Sequence, residues 1–296
     1  MSDRPIMVTG GAGPLASALV AAAHRPMLRL GRPDFDFDRP ETIAAVFHAA
    51  NPALVVNAAA YTAVDAAEND VDAAFRANRD GPAILARLCA AHDVPLIHVS
   101  TDYVFDGAKG APYHEGDPVC PQGVYGVSKL AGEEAVLASG ARAAIVRTSW
   151  VYSAIGKNFV RTMLTLGKSR DRLTVVADQR GCPTAAPDLA SAILAMADRM
   201  EQGWRQEYAG VFHAAGSGET TWHGLACAVF EAAAERGMTP PRVDPIATAD
   251  WPTPARRPAD SRLDCAKLER VFGVRLPAWR DSVARTVAVL LAGAEA

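Results

Sequence analysis

Short runs of β-branched and other apolar residues alternate with longer alanine-rich stretches through the first half of the chain. The short runs are typical of strands buried on both faces, and the longer stretches are typical of helices. The pattern predicts strands at residues 5–9, 27–30, 53–57, 95–100 and 143–148 and helices at 13–23, 40–50, 71–92 (broken near 81–82) and 124–138. Alternation at this spacing predicts a parallel sheet with helices on both faces.

The pattern changes in the second half. It predicts a strand at 173–177, a helix at 187–200 and an apolar run at 211–214, and then helices at 222–236, 266–272 and 279–291 around a proline-rich connection at 240–258. We therefore predict an α/β fold, a Rossmann-type doubly wound parallel sheet with a smaller C-terminal α/β substrate domain. The predicted boundaries are 1–151 for the Rossmann domain, with 185–215 returning to it, and 152–184 and 216–296 for the substrate-binding part.

Composition limits the classes of partner. The 296 residues carry a formal net charge of −3 without a basic stripe or polybasic anchor, which argues against nucleic acid and membrane surfaces as partners. Five cysteines without a CxxC pair favour a reducing cytoplasm over disulfides, and no apolar leader or spanning segment is visible. The histidines lack metal-ligand spacing, so no metal is predicted. A homodimer is one option that the sequence leaves open.

A glycine-rich turn follows the first predicted strand. It reads Thr9-Gly-Gly-Ala-Gly-Pro-Leu-Ala16 and opens a predicted helix. Such a turn lets the backbone approach a pyrophosphate, and the helix N-terminus supplies N–H donors. The spacing differs from GxGxxG, but its place in an alternating α/β chain favours a dinucleotide site.

The end of the second predicted strand bears on the choice of cofactor. An acidic residue there would accept hydrogen bonds from a ribose, whereas this chain has Gly31 followed by Arg32. We therefore predict NADPH as the preferred cofactor with NADH also accepted, although Asp34 and Asp36 nearby weaken the preference.

Tyr125 and Lys129 form the strongest chemical pattern. Residues four apart share one helix face, so both side chains point into one cleft. A cation about 5 Å from a phenol lowers its pKa by roughly two units at an effective dielectric near 20. Thr101, at the end of a predicted strand, is placed to hydrogen-bond a substrate oxygen. Glu133 and Glu134 follow on the same helix and are interpreted as a solvated face.

These motifs together resemble the extended short-chain dehydrogenases, and more narrowly the dTDP-4-dehydrorhamnose reductase family. The resemblance covers nearly the whole chain and rests on segments 57–65, 100–107, 147–152, 178–184, 220–223 and 252–258. It implies reduction of the 4-keto group of dTDP-4-dehydro-L-rhamnose. Tyr125 then donates the proton to O4, Lys129 holds the cofactor ribose and lowers the tyrosine pKa, and Thr101 orients the carbonyl.

The resemblance also implies two sets of binding residues. The implied cofactor contacts are Gly10, Gly13, Pro14, Leu15, Arg32, Asp36, Phe37, Ala58, Ala59, Ala60, Tyr125 and Lys129. The implied sugar-nucleotide contacts are Thr101, Asp102, Tyr103, Trp150, Asn158 and Arg257, the last two toward the diphosphate. Three positions depart from the family pattern without removing a catalytic group: Ala16, Gly31 and Gly123. Relatives often have asparagine at the position of Gly123.

Other functions stay open at this point. A dehydratase would carry an Asp-Glu pair after the threonine, whereas Asp102 is followed here by Tyr103. A reductase of another nucleotide 4-keto-deoxysugar is one alternative. A non-catalytic subunit of the same fold, like the regulatory partner of methionine adenosyltransferase, is another, although it has no need of a tuned phenol.

Overall fold

A computed structural model describes residues 4–293 of the chain. The strands are β1 (Ile6–Thr9), β2 (Met27–Leu30), β3 (Leu54–Asn57), β4 (Leu96–Thr101), β5 (Ala143–Thr148), β6 (Val151–Tyr152), β7 (Arg172–Val176), β8 (Arg180–Gly181), β9 (Thr184–Ala185), β10 (Gly210–His213), β11 (Thr220–Thr221) and β12 (Arg242–Ile246). The α-helices are α1 (Pro14–Ala21), α2 (Pro40–Ala50), α3 (Val64–Ala67), α4 (Val71–Phe75), α5 (Gly81–Ala91), α6 (Val124–Leu137), α7 (Phe159–Gly167), α8 (Ala186–Gln202), α9 (Trp222–Ala234), α10 (Ala266–Phe272) and α11 (Trp279–Ala292).

The central sheet is parallel. Within residues 4–293 it has six strands in the order β10, β5, β4, β3, β1 and β2. The chain first adds β2 on one side of β1 and then crosses to add β3 on the other, so the topological switch point lies beside β1. Ligands of open α/β sheets bind over the carboxyl ends of the strands at this point.

Helices cover both faces of this sheet, which explains why β1, β3 and β5 are buried along their whole length. Leu15 and Leu19 of α1 pack on one face together with apolar residues of α8 and α10. Ile43 of α2, Leu85 of α5 and Val136 of α6 pack on the other. The doubly wound parallel sheet predicted from the sequence is thereby confirmed, while the domain boundaries stay a prediction.

A second apolar core lies outside the sheet. It is built by α7, β7, α9, β12 and α11, which we call the small lobe, and its buried residues include Val160, Leu173, Val229 and Val287. Strands β7 and β12 pair in parallel within it. The small lobe faces the sheet's carboxyl edge and so forms the second wall of a cleft.

Two predicted segments differ in detail. The helix expected at 71–92 is divided into α4, a π-helical turn at Arg76–Asp80 and α5, because Pro82 at the start of α5 has no N–H to continue a helix. The proline-rich connection at 240–258 contains β12, which the sequence pattern missed. Pro245 masks the strand signal there, and an edge strand tolerates it because only one side is paired.

Candidate active site

A cleft of about 1020 Å³ lies between the carboxyl ends of the central strands and the small lobe. That volume is at the upper end for single-ligand sites and suits a dinucleotide together with a second ligand. The cleft is lined by the following residues that the sequence singled out: Gly10, Gly13, Pro14, Leu15, Arg32, Phe37, Ala58, Ala59, Ala60, Thr101, Asp102, Tyr103, Tyr125, Lys129, Trp150 and Asn158. Asp36 and Arg257 are not among the lining residues.

The glycine-rich turn brings bare backbone to the cleft. Gly10 and Gly11 have φ of 110° and 55°, which side-chain-bearing residues rarely adopt. A Cβ on Gly10 would lie 3.0 Å from the carbonyl oxygen of Ala58, so the turn packs directly against the end of β3. Helix α1 then begins at Pro14, and its first residues line the cleft. This cradle fits the pyrophosphate of a dinucleotide.

A buried hydrogen-bond network supports the segment after β3, which lines the cleft opposite the glycine-rich turn. The Thr9 hydroxyl donates to Oδ1 of Asn57 (2.6 Å), whose Nδ2 donates to Nδ1 of His98 (2.9 Å). The backbone N–H of Ala59 donates to the Thr9 hydroxyl (3.2 Å). Burial and the nearby Lys129 charge hold the pKa of His98 well below its usual value, so the ring is neutral and can accept. The ends of β1, β3 and β4 are thus tied together beneath the segment that lines the cleft.

The end of β2 carries a paired arginine. The Arg32 guanidinium is largely exposed and donates to the carboxylates of Asp36 (3.2 Å) and Asp38 (3.1 Å). Asp38 lines the cleft and also pairs with Arg76 (2.8 Å), whereas Asp36 lies outside the lining. A phosphate on the cofactor ribose would therefore compete with two carboxylates for Arg32.

Tyr125 and Lys129 lie one turn apart on α6, and both face the cleft. Lys129 is 1% exposed, and its Nζ donates to the Val99 carbonyl (2.7 Å). Helix α6 lies unusually close to its neighbours at two glycines. A Cβ on Gly126 would overlap the Tyr103 carbonyl oxygen, and one on Gly132 would overlap that of Asn78.

Burial sets the protonation of both catalytic candidates. It raises the pKa of Tyr125 to about 12, with a hydrogen bond to Thr101 acting in the opposite direction and the Asp102 charge adding to the rise. It lowers the pKa of Lys129 to about 8, against the attraction of Glu133. Lys129 is not among the groups that shift the tyrosine pKa, so the expected lowering by its charge is not seen. The phenol is instead fully protonated at neutral pH, as a proton donor must be.

The interpretation of Glu133 as a solvated residue was wrong. Glu133 is 1% exposed, forms a bidentate ion pair with Arg147 of β5 and accepts from the Ser100 hydroxyl. A buried carboxylate is tolerated when a cation and hydrogen bonds compensate its charge. The signal was available in the sequence, because Tyr125, Lys129 and Glu133 are spaced four apart on one helix face.

Glu68 is a second residue that sequence reasoning missed. Its Oε1 accepts from the backbone N–H of Val124 (2.9 Å) and so caps the first turn of α6 from another element. A Cβ on Gly123 would approach this oxygen to 2.7 Å. The glycine found where relatives often have asparagine thus leaves room for a carboxylate cap beside Tyr125.

The substrate side of the cleft is aromatic. Trp150 has a φ of 48° and stacks on Trp222 with ring centroids 3.6 Å apart. A Cβ on Gly181 would overlap the Trp150 ring, and Gln179 accepts from the Trp222 indole N–H (3.1 Å). Trp222 lines the cleft and was not predicted as a contact, although it lies in the segment 220–223 that supported the resemblance.

The two residues expected at a diphosphate have different positions. Asn158 lines the cleft, but its side chain accepts from Arg161 N as the cap of α7 and donates to the Ser153 carbonyl (2.7 Å). Arg257 makes a bidentate ion pair with Asp65 and also donates to Thr253. Its guanidinium therefore joins the C-terminal segment to the segment after β3. Its role at a diphosphate stays a prediction.

Among the residues that the structure describes, no cluster of three or more His, Cys, Asp or Glu side chains could hold a metal ion. Within the same residues, no helix is long and apolar enough to cross a membrane.

Comparison with known proteins gives a consistent result. The family described as "RmlD substrate binding domain" matches residues 4–292. The chain is 50% identical to the dTDP-4-dehydrorhamnose reductase of Sinorhizobium fredii, over 98% of this chain and 99% of that protein. Among solved structures, the dTDP-4-dehydrorhamnose reductase of Clostridium acetobutylicum superimposes with a TM-score of 0.89 at 34% identity, covering 97% of this chain and 99% of that one. The Bacillus anthracis reductase in complex with NADP superimposes with a TM-score of 0.88 at 30% identity, covering 96% and 99%.

Proposed function

Since the chain belongs to the RmlD family of dTDP-4-dehydrorhamnose reductases, we propose that it reduces the 4-keto group of dTDP-4-dehydro-L-rhamnose to give dTDP-L-rhamnose. The observation that carries the proposal is the cleft itself. It combines a glycine cradle for a dinucleotide with a protonated Tyr125, a buried Lys129 and an aromatic substrate wall.

The side chains of this site supply binding and a proton. The bound reduced nicotinamide supplies the hydride for C4 of the sugar. Tyr125 donates its phenolic proton to O4, because a phenol is a stronger acid than the sugar alcohol that forms. Thr101 is positioned to hydrogen-bond the same oxygen, and the Lys129 ammonium would hold the cofactor ribose. Residues of the small lobe line one side of the cleft.

The cofactor is NADP(H), as in the Bacillus anthracis relative, with NADH accepted more weakly. Two features of the chain support this part of the proposal. The end of β2 lacks an acidic residue that would repel a 2′-phosphate, and Arg32 lines the cleft there. A charge-assisted bond of about 1–3 kcal/mol corresponds to roughly five- to 150-fold in affinity. Because Asp36 and Asp38 compete for Arg32, we expect a preference for NADPH over NADH at the lower end of this range. R32A should reduce NADPH affinity while leaving NADH affinity almost unchanged.

The decisive experiment follows the oxidation of NADPH with a panel of nucleotide sugars. The panel comprises dTDP-4-dehydro-L-rhamnose, its 4-keto-deoxysugar isomers and a UDP-linked analogue. We expect the highest kcat/KM for dTDP-4-dehydro-L-rhamnose and the sugar dTDP-L-rhamnose as product. Preference for another 4-keto sugar would reassign the substrate, and absence of turnover with any of them would favour a non-catalytic role.

The remaining parts of the proposal rest on the sequence. A cytoplasmic location is supported by the free cysteines, which suit a reducing compartment. The homodimer and the exclusion of nucleic-acid and membrane partners stay predictions.

A further inference from the structure

Among residues 4–293, three cationic side chains line the cleft: Arg32, Lys129 and Lys157. Arg32 is paired with two carboxylates, and Lys129 is buried with its Nζ on a backbone carbonyl. Lys157 is exposed, and within the described part of the chain its ammonium has neither a carboxylate nor a hydrogen-bond partner. A dinucleotide and a sugar nucleotide each bring a diphosphate into the cleft. Lys157 is therefore the cation that is available to one of these groups.

Lys157 lies in the loop between β6 and α7, residues 153–158, which reaches the glycine-rich turn. Gly156 has a φ of 69°, and a Cβ on it would lie 3.4 Å from Cγ of Pro14, the first residue of α1. The loop therefore touches the cradle that fits the pyrophosphate of a dinucleotide. Lys157 is the next residue, and its flexible four-carbon stem lets the ammonium reach this cradle.

The backbone of this loop is fixed by the start of α7. Asn158, the N-cap of α7, donates from Nδ2 to the Ser153 carbonyl (2.7 Å), and Arg161 donates to the Ala154 carbonyl (3.0 Å). A loop that is already ordered loses little conformational entropy when it meets a ligand. Only the side chain of Lys157 then has to be ordered on binding.

Resting on the proposed function and its cofactor, we propose that Lys157 binds the diphosphate of NADPH from the side of the small lobe. The contact between Gly156 and Pro14 favours this diphosphate over that of the sugar nucleotide, because it places the loop beside the glycine-rich turn. The cofactor diphosphate then lies between the start of α1 and the lysine that precedes α7. Cofactor binding thereby joins the two walls of the cleft.

The first test measures dissociation constants without turnover. K157A should raise the Kd values of NADPH and NADH by the same factor, about three- to 20-fold, because both carry the diphosphate and lose one charge-assisted contact. The Kd values of 2′-AMP, which lacks a diphosphate, and of dTDP should stay within about twofold of wild type. K157R keeps the charge and should restore most of the affinity. K168A removes an exposed lysine at the other end of α7 and is the matched control.

Three results of this titration would overturn the proposal. A loss of affinity confined to dTDP would assign Lys157 to the sugar nucleotide. A loss for NADPH without a loss for NADH would assign it to the 2′-phosphate. Unchanged affinity for all four probes would leave the lysine without a role in binding. Turnover of the nucleotide-sugar panel by the wild type tests the proposed function separately, so the two failures are distinguishable.

The second test follows the loop by amide hydrogen exchange. Saturating NADPH should slow the exchange of residues 153–158 in the wild type and much less in K157A. Exchange at the glycine-rich turn should slow equally in both proteins, since its contacts with the cofactor do not involve the lysine. Equal slowing of the loop in wild type and K157A would show that the loop contacts the cofactor without Lys157 and would refute the proposal.

Discussion

Tyr125 and Lys129 are affected by burial in opposite directions, because one is neutral and the other charged when protonated. The pKa of the phenol rises to about 12 and that of the ammonium falls to about 8. Near neutral pH both groups are therefore protonated, which is the combination that a reductase requires. The pair could be identified from its spacing, but the direction of the tyrosine shift could not, since burial depends on the packing of α6 against the rest of the fold.

Replacement of Tyr125 by Phe removes the proton donor and little else. We expect turnover to fall by roughly 10²–10⁴-fold, the usual contribution of a positioned acid. NADPH affinity, measured by fluorescence titration, should be nearly unchanged because the aromatic ring remains. A fully active Y125F enzyme would show that another group donates the proton.

We expect cofactor binding to depend on pH because the pKa of Lys129 is lowered. Below its pKa of about 8 the side chain is charged and attracts the anionic cofactor, and above it this attraction is lost. The dissociation constant for NADPH should therefore increase as the pH rises through about 8, as measured by titration of the enzyme without substrate. K129M should bind weakly at every pH, and the exposed K168M serves as its control. A wild-type affinity that is independent of pH between 7 and 9 would contradict the assignment.

At the scale of elements, α6 organises the chemistry. Glu68 caps its first turn, Lys129 and Glu133 lie on its buried face, and two glycines allow its close approach to neighbouring backbone. The strands and helices of the sheet were predictable because short apolar runs alternate regularly with longer alanine-rich stretches. A break near 81–82 was predicted but the π-helical turn at Arg76–Asp80 was not, and strand β12 was missed because Pro245 masks its signal.

Gly132 provides the test of this arrangement. A methyl group there would overlap the Asn78 carbonyl oxygen, so G132A should displace α6 and destabilise the protein by about 1–3 kcal/mol. Because Tyr125 and Lys129 move with the helix, kcat should fall as well. G116A is the matched control, since Gly116 is exposed and an added Cβ makes only ordinary contact with His114. Denaturant unfolding measures the change in stability, and steady-state kinetics measure the change in kcat. A G132A enzyme with wild-type stability and kcat would show that α6 can accommodate a methyl group at this position.

At the scale of the whole molecule, two cores build one cleft. The sheet supplies the cofactor cradle and the small lobe supplies part of the aromatic wall. The Asp65–Arg257 ion pair ties the C-terminal segment to α3, which follows β3. The bidentate Arg257 lowers the pKa of Asp65. The sequence could not show that Arg257 pairs with Asp65, because the two residues lie 192 positions apart in the chain.

This division predicts that substrate binding and cofactor binding can be altered separately. The Trp150 ring is held by Trp222 and by the backbone at Gly181, so its position does not depend on the glycine turn. An aromatic contact contributes about 0.5–1.5 kcal/mol to binding, or roughly two- to 13-fold in affinity. W150A should therefore raise the KM for the sugar nucleotide by a factor in this range and leave the NADPH dissociation constant unchanged. W251A, which truncates an indole that is 59% exposed and absent from the cleft lining, is the matched control. Should W150A lose NADPH affinity as strongly as sugar affinity, the two walls would be one coupled site, and the allocation of the small lobe to the substrate would fail.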